Sequence, residues 1–137
     1  MVSTTDPMAA IRQTFFQECE EQLAELETGL IMMDEGASDA ETVNAVFRAV
    51  HSIKGGAGAF KLQALIHFAH LFETVLDLVR VGKLEATSSI TKTMLRAADA
   101  LADLVRAARL GSGHDEARVA ALAAELGAIA ASDPEQA

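Results

Sequence analysis

Between positions 51 and 73 the chain carries His51, Lys54, Gly55, Gly58, His70 and Glu73, a set whose types and spacing could do chemistry. A neutral imidazole has one protonated nitrogen and one free nitrogen. Whatever bonds the first decides which is left as the nucleophile. Glu73 accepting from Nδ1–H of His51 would leave Nε2 free and more basic. Lys54 stands one turn from His51, where its stem can lie on the apolar margin and its ammonium can reach out toward the imidazole. There it would offer charge to incoming phosphoryl oxygens. Gly55 and Gly58 fall one and two turns beyond His51 on the same strip of helix surface. A glycine inside a helix costs about 1 kcal/mol relative to alanine. A strip kept bare at that cost beside a histidine implies that something docks closely over it. The pattern is that of a phosphoryl acceptor and donor.

Plainer readings stand beside this one. A histidine on a helix border is often an ordinary surface residue, and His70 and Glu73 could be a partly buried hydrogen-bonded pair. Gly56 lies away from the strip, where close helix packing is its natural use. His67 and His114 read as ordinary exposed residues. Four-helix bundles hold di-metal centres with Glu-x-x-His pairs, but no such pair occurs here, so no metal is expected. The run Gly56-Ala-Gly58-Ala-Phe-Lys61 lacks the third glycine of a dinucleotide fingerprint and follows no strand.

The elements that must position these residues are helices. Asp6 followed by Pro7 is a helix start, and Met8, Ile11, Phe15, Cys19, Leu23, Leu26, Leu30 and Met33 recur at steps of three and four to about Asp34. Gly36 breaks that helix and Asp39 caps a second, with Val43, Val46, Phe47, Val50, Ile53, Ala57 and Phe60 on its apolar face. A third carries Leu62, Leu65, Ile66, Ala69, Phe72, Leu76 and Val79 and stops at Gly82. Thr87 or Ser88 opens a fourth that stops at Gly111, and Asp115 and Glu116 favour the start of a short fifth. Helices of about 20 residues, each ~30 Å long and joined by short loops, fold most simply as an antiparallel four-helix bundle. The fifth would pack across one end or against one side, giving an all-α domain over residues 1–131 and the start of a flexible linker at 132–137. If the second and third helices are neighbours, His51, Lys54, His70 and Glu73 can meet on a solvent-facing seam.

Bulk properties bound the partners. The formal net charge of −9 argues against nucleic acid and anionic membranes. Cys19 is the single cysteine, which excludes a disulfide framework and points to a reducing cytoplasm. No apolar run approaches the ~20 residues that span a bilayer, and the first ten residues have neither the basic nor the apolar region of a signal peptide.

The run His51-Ser-Ile-Lys54-Gly-Gly-Ala-Gly-Ala-Phe60 closely resembles the histidine phosphotransfer domain found at the N-terminus of CheA-type chemotaxis histidine kinases. The preceding NAVFRAV and the later HLFETVLD, which holds His70 and Glu73, resemble the family too. The resemblance implies a four-helix bundle plus a fifth helix, with His51 as the phosphorylated residue. It implies that Glu73 bonds the imidazole, with Lys54 and His70 in the supporting network. A separate ATP-binding kinase domain, using ATP and Mg, would phosphorylate His51, and the group would pass to an aspartate of CheY- or CheB-like response regulators. The fragment itself would bind no cofactor and act as carrier. A free-standing phosphotransfer protein in a relay, or a bundle acting only as an interaction module, remains the alternative. Where the family continues after the aromatic with glycine and another aromatic, this chain has Lys61-Leu62, which adds charge beside the docking strip of Gly55 and Gly58.

Overall fold

Helix boundaries in this chain are written in local chemistry, and the computed structural model, which describes residues 7–132, follows them. Five helices succeed one another: α1 Pro7–Asp34, α2 Ala40–Ala59, α3 Gln63–Arg80, α4 Ser88–Leu110 and α5 Glu116–Ala131. At the start of α2 the Asp39 carboxylate accepts from the Thr42 backbone N–H at 2.7 Å. Thr87 does the same for Ile90 at 3.3 Å, and Asp115 for Arg118 at 3.0 Å. Each bond satisfies one of the amides that a helix start leaves without a partner. The expected cap at Asp6 and all but the first residue of the expected linker lie outside the described residues.

The helix ends are equally local. At the end of α1 the Gly36 N–H bonds Met33 O and the Ala37 N–H bonds Met32 O, with Gly36 at φ +105°. Gly82 closes α3 in the same way at φ +80°, and Gly111 ends α4 at φ +66°. These are left-handed closures, for which glycine carries no steric penalty. The end of α2 has the same pair of bonds, Lys61 N–H to Gly58 O and Leu62 N–H to Ala57 O, but here the left-handed residue is Lys61, at φ +56°. This is the position at which the sequence departs from the resembling family's glycine.

Packing runs around a ring, α1 against α2 and α4, α3 against α2 and α4, so the four long helices enclose one core. Leu26, Leu30, Ile53, Phe72, Met94 and Leu101 sit fully buried at its centre, each contributing roughly 2–3 kcal/mol by leaving water. The fifth helix lies along one side, against α3 and α4, and buries Leu122 and Leu126.

Two expectations are corrected. Met8 and Ile11 continue the apolar spacing of α1, yet both are 54% exposed. In α3, Leu65, Ala69, Phe72 and Leu76 of the expected stripe are buried and Leu62, Ile66 and Val79 only partly so, while Phe68, Val75 and Leu78, outside the stripe, are buried. A helix packed against α2, α4 and α5 has neighbours on most of its circumference, so one apolar stripe does not describe it.

Candidate functional site

The three-residue connection between α2 and α3 makes them antiparallel neighbours, which brings the middle of one alongside the middle of the other. On that seam His51 Nδ1 donates to Glu73 Oε2 at 2.6 Å, and Lys54 Nζ donates to Glu73 Oε1 at 2.7 Å. An ionised carboxylate can only accept, so Nδ1 carries the hydrogen and Nε2 of the neutral ring keeps its lone pair. Exposure grades across the three: the Glu73 side chain is 14% exposed, Lys54 25% and His51 61%. The carboxylate lies beneath the imidazole, which stands out over it.

The charges are balanced to match. Burial pushes the Glu73 carboxyl up, but hydrogen bonds from Lys54 and His51, with the Lys54 charge, outweigh it and hold it below its ordinary value of 4.5. Glu73 is therefore an anion at neutral pH, and Lys54 neutralises it from the side away from the imidazole. The ammonium, expected to reach out toward the imidazole, is bonded to the carboxylate that also holds the imidazole.

The other residues singled out by sequence fall in three groups. Gly55 and Gly58 are exposed, and a Cβ added to either would meet no other atom within 4 Å. Gly56 has a different surrounding: a Cβ there would collide with Phe15 Cε1 and come within 2.6 Å of its Cδ1, so this glycine admits the Phe15 ring against α2. Lys61 is exposed at the turn beyond the strip. His70, one turn before Glu73, is exposed, and its imidazole bonds none of the three clustered side chains; the Thr74 hydroxyl donates to its backbone carbonyl. The expected four-membered cluster is thus a triad. His67 is exposed and His114 half-buried. Among the described residues no group of His, Cys, Asp and Glu could hold a metal. Burial, then the charges of Glu18 and Glu20, push the Cys19 thiol up to about 12, so it is no nucleophile at neutral pH.

One feature was missed. Phe47, counted as core from its spacing, is only partly buried and lies stacked on His51, ring centroids 5.8 Å apart and planes 13° apart. The guanidinium of Arg80 covers the Phe47 ring at 4.3 Å from its centroid. The i, i+4 spacing of Phe47 and His51 was the signal available for the first contact.

Residues 10–132 match the family model described as Hpt domain. The chemotaxis protein CheA of Rhizobium meliloti is 63% identical over 123 residues, covering 90% of this chain and 16% of that protein. CheA of Cereibacter sphaeroides is 54% identical over 105 residues, covering 74% of this chain and 15% of that protein. The chain therefore spans about one-sixth of the length of these relatives. Among solved structures, the phosphorylated P1 domain of CheA3 in complex with CheY6 from R. sphaeroides superposes with a TM-score of 0.81 at 27% identity, covering 90% of this chain and 98% of that one. Among the described residues no helix is long and apolar enough to cross a membrane.

Proposed function

The chain belongs to the Hpt domain family, and on that premise we propose that it is the phosphotransfer domain of a longer, CheA-type chemotaxis kinase, with His51 as its phosphoacceptor. The observation that carries this reading is the bond from His51 Nδ1 to Glu73, which commits one nitrogen and leaves Nε2 as the nucleophile on an exposed ring. In the forward step the Nε2 lone pair forms a bond to the terminal phosphorus of ATP held by a separate kinase domain with its Mg. The P–O bond to the leaving ADP breaks, and its electron pair departs with ADP. The ring gains positive charge, which the buried Glu73 anion stabilises through Nδ1–H. In the second step a carboxylate oxygen of a CheY- or CheB-like regulator attacks the same phosphorus, and the N–P electron pair returns to the imidazole.

Gly55 and Gly58 are the docking strip. Open space over both lets a partner's backbone come close to His51, and Lys61 offers an acidic partner a charge at the strip's end. His70 belongs to the outer margin of that face. The relatives' length favours a domain of a larger kinase over a free-standing relay protein. A single cysteine, buried as a thiol, accords with a cytoplasmic setting.

The test is His51→Gln incubated with a CheA-type kinase domain and labelled ATP. The variant should take up no label while melting like the parent, since its side chain lies on the surface. Label on the parent should be acid-labile and base-stable, as a phosphoramidate is. Label persisting in the variant, or behaving as phosphoserine at the adjacent Ser52, would overturn the assignment.

A further inference from the structure

His51 is the most exposed member of its triad, and one hydrogen bond at one edge leaves a ring free to swing about that bond. A second constraint comes from Phe47, one turn earlier on α2, whose ring lies nearly parallel to the imidazole. Phe47 is itself held. The Arg80 guanidinium lies over its ring, and Arg80 Nε donates to Asp77 Oδ1 at 3.0 Å, with Nη2 bonded to the same oxygen. Helix α3 thus grips α2 twice, once through Glu73 at the edge of the imidazole and once through Arg80 on the ring stacked with it.

Resting on the phosphoacceptor reading above, we propose that Phe47 is a positioning residue for His51 and that Arg80, pinned by Asp77, is the brace behind it. The chemistry favours an aromatic ring over any aliphatic of similar bulk. A benzene face is electron-rich and attracts cations. As Nε2 bonds phosphorus the imidazole becomes cationic, so its attraction to Phe47 grows along the reaction coordinate. An interaction stronger in the transition state than in the ground state accelerates the step. Arg80 alone would oppose that charge through the ring, and the Asp77 carboxylate offsets it.

The test uses the whole chain with phosphoramidate as a small donor, and reads the His51 ring nitrogens by NMR at alkaline pH. Phe47→Leu keeps apolar bulk and removes the flat face. It should slow uptake about 10-fold, on the scale of a reacting group held loosely, and shift the nitrogen signals from one tautomer toward an average of two. Phe47→Trp should restore both. Arg80→Ala should slow uptake about 3-fold, as expected for an exposed cation–π contact. Phe47→Leu with the parental tautomer and rate would overturn the proposal. Should that variant melt early, Arg80→Ala, a change at an exposed residue, decides: parental signals and rate overturn the brace and the stack it supports. A parent chain that takes no phosphoryl group would refute the phosphoacceptor reading instead, while the nitrogen signals of the variants still decide the stack.

Discussion

Gly55 and Gly58 on one side of α2 can be set against Gly56 on the other side and Gly29 across in α1. At the first two, an added Cβ would enter open space. At Gly56 it would run into the Phe15 ring, and at Gly29 into Val46 Cγ2. The residue type and helical setting are the same, yet the first pair leaves room outside the protein and the second leaves room inside it. A helical glycine reports that something comes close; only its direction tells whether that is a neighbouring helix or a visiting molecule. On the function proposed above, the two faces of α2 separate chemistry from stability, and substitutions on them should separate the same way.

The largest effect after loss of His51 belongs to Glu73. Glu73→Gln should slow phosphoryl uptake about 10- to 100-fold, the range for losing the group that orients a reactive imidazole. It also carries a pH signature. The folded-state pKa of Glu73 lies below its ordinary 4.5, so the anion adds stability above that value, and the contribution fades as pH falls through the folded pKa. The difference in Tm between parent and Glu73→Gln should be full at neutral pH and shrink as pH falls below the ordinary value of 4.5. A pH-independent difference would show that the ion pair is not its source.

Gly58→Gln tests the open side. It should keep the helix and lower transfer to a response regulator about 10-fold or more, as close docking is blocked, while phosphoramidate uptake changes much less. Parental exchange with protein partners would show that the strip serves something else.

Gly56→Ala tests the packed side. Overpacking should cost roughly 1–3 kcal/mol, seen as a Tm lowered by several degrees, with the folded fraction reacting at the parental rate. Gly58→Ala in the same melt should be neutral or stabilising by up to about 1 kcal/mol. Equal behaviour of the two alanine variants would erase the comparison. The smallest effect is expected at Lys61, whose left-handed backbone disfavours a side chain. Lys61→Gly should stabilise the chain by up to about 1 kcal/mol, measured by denaturant melts, while removing the charge beside the strip.

Much of the candidate site was legible because it lies within one helix. His51, Lys54, Gly55 and Gly58 occupy fixed relative angles on α2 whatever surrounds it. Across helices it was the family resemblance, and not periodicity, that put Glu73 on the imidazole. His70 and Glu73 are three residues apart on α3, both on its polar border, and helical angles could not say which would reach His51. Phe47 was read as core because spacing reports a face and not the depth to which a ring is buried.

What the sequence by itself determined were the features that act over four residues or fewer. The caps Asp39, Thr87 and Asp115 and the left-handed ends at Gly36, Gly82 and Gly111 bond within their own turn, so helix limits followed from local chemistry. Tertiary structure alone decided the register of α2 against α3, which gave Glu73 both His51 and Lys54 and left His70 outside. It also decided that α5 covers a side of α3, burying Leu122 and Leu126, and that Phe15 fills the notch at Gly56. The physical reason is common to all three: each depends on side chains far apart in sequence finding one packed arrangement, and periodicity fixes the direction a residue faces without naming what it meets.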